Sequence, residues 1–253
     1  MIAHNEADTI GAALSSVTWA DQIVVVDTDS TDETADIARK MGAEVHVEPN
    51  HPNLNINKNI AINLCRGDWI FVLDADERIP YELAGEIRLA INEGRADGYL
   101  VPRRNWVLGK WMKRGGEYPD YQLRLFRRGR GGFPAVHIHE RLTVEGKVKR
   151  LSRPFDHYPY PDLNSMIGKN LRDTRFEAWH LFQNGKRIGT VGLGFRIFII
   201  TPLRMVQRFV FKGGIIDGSQ GLIRSWFDSL NQNLRWIKLW ELHRSDRRRE
   251  EER

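Results

Sequence analysis

The chain holds one cysteine, Cys65, among its 253 residues. An internal disulfide is therefore excluded, and the composition fits a reducing compartment. Long apolar runs are scarce too. A membrane-spanning helix needs roughly 18–20 apolar residues. The nearest approach is VGLGFRIFIITPLRMVQRFVF, which Arg196, Pro202, Arg204 and Arg208 interrupt. The opening MIAHNEADTI shows neither the basic start nor the apolar centre of a secretory leader. Acids are fewer than bases, 33 against 38, for a net charge of +5. That surplus points to an anionic partner (nucleic acid, membrane or phosphorylated substrate) or to no more than a solvated basic surface. What is present suits a folded soluble protein: 41% hydrophobic and 28% charged residues, enough for one large α/β domain or a core domain with an appendage.

The first hundred residues alternate in type. EADTIGAALSSV carries Ile10, Ala13, Leu14 and Val17 on one helical face. Ile23–Val26 is a short solid apolar run, as in a strand covered on both faces. Ser30 and Glu33 have the spacing of a capping box, with Thr34, Ile37, Ala38 and Met41 on one helical face and Gly42 as the stop. AEVHVE reads as a strand, NKNIAINLCRG as a helix and WIFVL as a strand. PYELAGEIRLAINEG reads as a helix closed by Gly94, and GYLVP as a further strand. Only MIA precedes HNE where a first strand is expected, which reads as a strand cut short by an upstream truncation or a misassigned start. Strands alternating with helices predict a mostly parallel sheet. From Arg103 the chain turns basic, aromatic and glycine-rich. YQLRLF alternates like an antiparallel strand, ERLTVEGKVKRL predicts a hairpin turning at Glu145-Gly146, and beyond about Asp162 the pattern is helical.

Ligands of parallel α/β sheets sit at the carboxyl ends of the strands. Three polar clusters fall there: HNE after the short first strand, DTDSTD after IVVV, and DADE after WIFVL. One aspartate after a strand is commonly a cap or turn former. Three such clusters on one rim are a binding constellation. Asp74 and Asp76 are the residue types that share Mg²⁺ or Mn²⁺ with phosphate oxygens.

HNEADTI, VVVDTDSTDETADIA, NKNIAI and GDWIFVLDADERI resemble the inverting family 2 glycosyltransferases of the GT-A fold, with DAD in place of their D-x-D motif. GGEYPDYQLRLFRRG, VHIHERLTVEGKV and FKGGIIDGSQGL resemble the lipopolysaccharide-core glucosyltransferase branch of that family, the WaaE/KdtX type. Asp29 departs from the pattern, which commonly has glycine there. The resemblance implies a GT-A-like mixed, mostly parallel sheet flanked by helices, with a C-terminal helical membrane-associating segment. Residues 1–161 are expected to form the catalytic domain (nucleotide-sugar half about 1–102, acceptor half about 103–161), and residues 162–253 a helical, membrane-interfacial region. It further implies that Ala3, Asn5, Glu6, Asp27, Asp29, Lys58 and Asp74 line a nucleotide pocket. Glu6 would reach ribose or base, Asp27 would accept from a uracil-type N–H, Lys58 would meet base or diphosphate, and Asp76 with Asp74 would ligate the metal.

Inverting transfer needs a general base on the acceptor side. Asp120 and Glu140 fit, and either is equally a turn or ion-pair residue. His139 fits the metal shell or the diphosphate. His137 and His139 alone are too few ligands for zinc. Arg124, Arg127 and Arg128 fit phosphate neutralisation. Nucleic acid is the rival anion, but no nucleic-acid motif accompanies the basic and aromatic residues. Phe195–Lys212 is apolar and basic without acids, matching an element at an anionic membrane surface through Arg196, Arg204, Arg208 and Lys212. A packing helix is the plainer reading.

The expected activity is metal-assisted transfer of a hexose, UDP-hexose favoured, to a lipid-linked or lipopolysaccharide-core hydroxyl. The expected location is cytoplasmic, peripheral on the inner face of the plasma membrane. A nucleotidyltransferase, or a non-catalytic nucleotide-sugar-binding protein, remains as an alternative.

Overall fold

The computed structural model describes residues 1–134 and 141–251, with backbone alone for 246–251. The chain forms two compact units, Met1–Arg104 with Pro119–Tyr158, and Asn105–Tyr118 with Pro159–Arg253.

The first unit begins with β1 (Ile2–Ala3), α1 (Ala7–Ser15), β2 (Val24–Asp27), α2 (Thr34–Lys40), β3 (Glu44–Val47) and α3 (Leu54–Asn63). β1, β2 and β3 pair in parallel, in that order. The solid apolar run behaves as its composition requires, and all four residues of β2 are buried. Ile10 and Leu14 of α1, Ala38 of α2 and Val25 form one buried cluster with Ala3 and Ala75. The expected capping box does not form. The Ser30 hydroxyl is taken by the Asn5 backbone N–H at 3.0 Å, and Asp32 Oδ1 accepts from Thr34 N at 3.0 Å instead.

Next come β4 (Trp69–Phe71), β5 (Glu77–Arg78), α4 (Tyr81–Glu93) and β6 (Gly98–Val107), the last three residues of β6 lying in the second unit. α4 follows its sequence pattern closely. Leu83, Ile87 and Ala90 are buried, and Gly94 ends the helix at φ 60°. This face packs on Tyr99, Val101, Leu125 and Phe155, each fully buried aliphatic side chain contributing about 1.5–3 kcal/mol. β7 (Lys110–Trp111) belongs to the second unit. β8 (Asp120–Arg127) pairs antiparallel with both β4 and β6. β1–β3 thus form a parallel sheet of their own, and the larger sheet that holds β4, β8 and β6 is mixed, antiparallel where β8 enters and parallel where Val148–Arg150 runs beside β6. A cavity of about 790 Å³ lies between β2 and β4, lined by Ile23, Val24, Trp69 and Phe71 with Met1 at its end, because the two-residue β1 pairs only with β2.

β9 (Gly131–Gly132), β10 (Thr143–Val144), β11 (Val148–Arg150) and β12 (Phe155–Tyr160) complete the strands. The chain turns at Glu145-Gly146 as expected, but no hairpin results. β10 pairs with β9, and β11 runs parallel to β6. Gly146 has φ 107°, and a Cβ there would collide with the Asp97 carboxylate. That carboxylate accepts the Lys147 backbone N–H at 2.9 Å and draws the second arm toward β6.

In the second unit β6 and β7 form a tight hairpin through Leu108 (φ 49°) and Gly109 (φ 77°), the left-handed pair of a type I′ turn. α5 (Leu163–Gln183) starts at Asp162, whose carboxylate accepts from Ser165 N at 2.8 Å. α6 (Thr190–Phe195) and α7 (Thr201–Val206) are joined by a π-helical turn, Arg196–Ile200, and followed by another, Gln207–Phe211. α8 (Gly218–Glu251) packs along α5. Val107, Met112, Tyr160 and Met166 form the core. Asp217 is buried, and its two carboxylate oxygens accept the N–H groups of Lys113 and Arg114 at 3.2 and 2.9 Å. No helix among the described residues is long and apolar enough to cross a membrane.

The segment Phe195–Lys212 reverses one expectation. Three of its four basic residues are turned into the unit. Arg204 pairs with Asp228 at 2.6 Å, Arg208 with Glu117, and Arg196 stacks 3.9 Å above Trp236. Glu117 and Asp228 lie elsewhere in the chain, so local composition could not show that they draw the cations inward. The apolar residues face out instead, with Phe198 76% and Phe211 82% exposed.

Candidate functional site

Three loops of the first unit gather the predicted polar clusters. Ala3 ends β1 directly opposite Asp27 at the end of β2. Ala75, between Asp74 and Asp76, packs into the same buried cluster as Ala3. The DAD turn and the end of β2 are therefore brought to one place, although β4 and β1 do not pair. Asn5 sits at φ 54°, and its Oδ1 accepts from Thr31 N at 2.7 Å. Glu6 leads into α1, with its backbone N–H on Thr34 Oγ1 and its carboxylate accepting from the Thr9 hydroxyl at 2.6 Å. Asp29 is exposed at φ 55°, and its carboxylate accepts the Asn50 N–H at 3.0 Å. This left-handed backbone explains why glycine suits the position. Both Asn5 and Asp29 thus brace loops around the rim.

Asp27 is different. It is 3% exposed. Its Oδ2 accepts the Ser30 N–H at 3.2 Å, while its Oδ1 is buried with no hydrogen-bond partner among the described residues. A buried acceptor without a donor is costly, and it has the chemistry to receive an N–H from a bound base.

Asp74 is the electrostatic centre. Lys58 Nζ lies 3.0 Å from Oδ1, and Arg124 Nη2 donates to Oδ2 at 3.0 Å. Burial would raise the Asp74 pKa, but the charges of Lys58 and Arg124 outweigh it and hold the carboxyl well below the usual range. Glu77 is completely buried. Its pKa is raised, chiefly by burial, against the opposing charge of Arg124. Burial works against the charged form of Arg124 too, yet Glu77 and Asp74 overcome it and raise its pKa. Arg124 therefore faces two carboxylates inside the fold and is not a surface phosphate ligand. Arg127 lies over Trp69 at 4.8 Å, and Arg128 donates to the Gly67 carbonyl at 3.0 Å.

Asp76 lies beside a residue that the sequence reading did not assign. His157 Nε2 of β12 is 3.4 Å from Asp76 Oδ2. β12 places it there by pairing with β5, with His157 opposite Glu77. Only this pairing gives the signal, since eighty residues separate the two in sequence. A carboxylate with an imidazole, next to an ionised Asp74, fits a divalent cation that takes its other ligands from water and phosphate oxygens. Among the described residues no group of three His, Cys, Asp or Glu is placed to hold a metal ion by itself.

Asp120 opens β8. Its Oδ2 is paired with Arg103, at 2.8 Å from Nε and 2.6 Å from Nη2, and its Oδ1 accepts from Gln122 at 2.6 Å. Glu140, His139 and His137 lie outside the described residues.

Residues 1–144 match the model for glycosyl transferase family 2. The chain belongs to that family. The enzyme is 26% identical to a glycosyltransferase of Rickettsia prowazekii over 96% of its own length and 86% of the other. It is also 26% identical to LpsC of Rhizobium meliloti, a lipopolysaccharide core biosynthesis glycosyltransferase, over 96% of its own length and 91% of that protein. Among solved structures, residues 1–349 of Staphylococcus aureus TarS, in complex with UDP-GlcNAc, superpose with a TM-score of 0.51. They share 16% identity over 90% of this chain and 78% of that one. The likeness extends the GT-A-like fold over most of the glycosyltransferase.

Proposed function

We propose that the enzyme transfers a hexosyl unit from a nucleotide-diphosphate sugar, with UDP-hexose favoured, to a hydroxyl of a lipid-linked or lipopolysaccharide-core acceptor, with inversion. The observation that carries this reading is the buried Oδ1 of Asp27, without a hydrogen-bond partner among the described residues, set beside the Asp74–Asp76 turn. In this reading Asp27 receives the imide N–H of a uracil. Ala3 leaves room for the base, and Asn5, Glu6 and Asp29 hold the surrounding loops and the ribose. Asp74 orients the ribose, and Lys58 meets the diphosphate. LpsC, matched over nearly its full length, supports the choice of a lipopolysaccharide-core acceptor.

Mg²⁺ or Mn²⁺ would be held by Asp76 and Asp74, with His157 from β12 or His139. When bound, it supplies positive charge to the leaving diphosphate. The chain's own part is to bind, orient and move one proton. As the acceptor oxygen bonds to the anomeric carbon, the bond from that carbon to the nucleotide phosphate oxygen breaks. The hydroxyl proton passes to a carboxylate base, Asp120 or Glu140. If Asp120 serves, it must first exchange its Gln122 or Arg103 contact for the acceptor.

The acceptor also implies a membrane. The outward apolar residues of Phe195–Lys212 would dock on the inner face of the plasma membrane. Lys212, exposed where the three arginines are not, supplies the attraction to an anionic membrane surface.

A nucleotide-sugar screen by thermal shift, with and without Mn²⁺, tests the donor assignment. A specific donor at a hundred times its Kd should add about 2.7 kcal/mol of stability. No shift with any nucleotide sugar in the presence of metal would refute it.

A further inference from the structure

Two cations of unequal freedom hold Asp74. Lys58 reaches it on a long flexible chain, its Nζ 3.0 Å from Asp74 Oδ1 and 5.3 Å from the centre of the Phe133 ring. Such an ammonium can swing to an incoming phosphate. Arg124 cannot. It is 7% exposed, and one nitrogen, Nη2, serves both Asp74 Oδ2 at 3.0 Å and Glu77 Oε1 at 2.5 Å. The Phe155 ring lies 5.5 Å away and limits its movement.

Glu77 closes the ring. Its other oxygen, Oε2, accepts the Asp74 backbone N–H at 3.0 Å. One buried carboxylate thus fixes the backbone of Asp74 directly and its side chain through Arg124. The set holds two acids, Asp74 and Glu77, and two bases, Arg124 and Lys58. If a diphosphate draws Lys58 away, Arg124 is left as the single cation of that set against two acids, and the orientation of Asp74 then depends on it.

We propose that Arg124, anchored by Glu77, is a positioning residue of the donor site that acts on the nucleotide only through Asp74. The proposal rests on the nucleotide reading of the site given above. It differs from a merely structural role, in which loss of Arg124 loosens the sheet and harms binding whether or not Asp74 keeps its charge.

A double-mutant cycle separates the two. UDP binding is measured by calorimetry with Mn²⁺ for the parent, Arg124→Gln, Asp74→Asn and the double variant, at UDP concentrations raised as needed. Arg124→Gln should weaken binding about tenfold in the parent, equivalent to about 1.4 kcal/mol, and less than about twofold in the Asp74→Asn background, as expected for coupled neighbours. Equal factors in both backgrounds overturn the positioning role. Glu77→Gln preserves shape and the acceptor for the Asp74 N–H. If Arg124→Gln does not fold, Glu77→Gln takes its place in the cycle, with the same expected and overturning results. A folded parent that binds no UDP with Mn²⁺ overturns the nucleotide reading itself, an outcome distinct from a parent that binds and shows an additive cycle.

Discussion

Asp27→Asn tests the base-recognition role at a single atom. The substitution keeps the shape of a side chain that is 3% exposed, and its amide oxygen can still accept the Ser30 N–H, now 3.2 Å from Oδ2. The unpartnered Oδ1 becomes an amide NH₂, a donor facing a donor if uracil is the base. A hydrogen bond to a charged group contributes about 1.5–3 kcal/mol. UDP affinity should therefore fall roughly 10- to 150-fold, at 1.4 kcal/mol per factor of ten. The free enzyme loses no hydrogen bond, and a buried charge is removed. Its stability should stay the same or rise by up to about 1 kcal/mol. Cytosine, which presents an acceptor where uracil presents the imide N–H, should gain relative to uracil. Calorimetric titration with UDP and CDP, beside urea unfolding of the free enzyme, reads all three. Intact stability with unchanged UDP affinity, or an undiminished preference for UDP over CDP, would refute the assignment.

Three further outcomes follow from the same geometry. Lys58 and Arg124 depress the Asp74 pKa, so its contribution to stability is present above the unfolded value of about 3.9 and is lost as pH falls through the folded value. Urea midpoints between pH 6 and pH 2 should thus drop further for the wild type than for Asp74→Asn, and parallel curves would contradict this. Phe198→Ser with Phe211→Ser should abolish co-sedimentation with vesicles while leaving transfer to a soluble acceptor intact. Anionic lipid should strengthen wild-type binding only modestly, because most of the segment's arginines are paired inside the unit, and absence of binding to any vesicle argues against docking. Of Asp120→Asn and Glu140→Gln, the one that removes the base should lower kcat by about 10²–10⁴ with donor affinity retained; no loss in either would discard both.

Elements governed by local chemistry were legible. The apolar spacing and terminal glycine of α4, the solid run of β2, the alternation of β8 and the helical pattern beyond Asp162 each follow from residues within a few positions. So was the place of the DAD turn, whose Ala75 packs with Ala3 at the end of β1, because it directly follows an apolar strand. Failures came where a distant residue took the local partner. Asn5 claims Ser30 from its capping box. Asp97 and β6 pull β11 away from its hairpin mate. Arg124 looked like a surface phosphate contact because its two carboxylates lie 47 and 50 residues away.

Residue order alone carries the fold class, the family and the polar loops of the candidate site, because strand, turn and acid are adjacent along the chain. Tertiary structure decided which groups share an atom. It left one oxygen of Asp27 without a partner among the described residues, seated Arg124 between Asp74 and Glu77, carried His157 to Asp76, and turned Arg204 and Arg208 inward while exposing Phe198 and Phe211. Each of these depends on a through-space distance of a few ångströms between residues tens of positions apart, and ion pairing, burial and metal affinity respond to that distance alone.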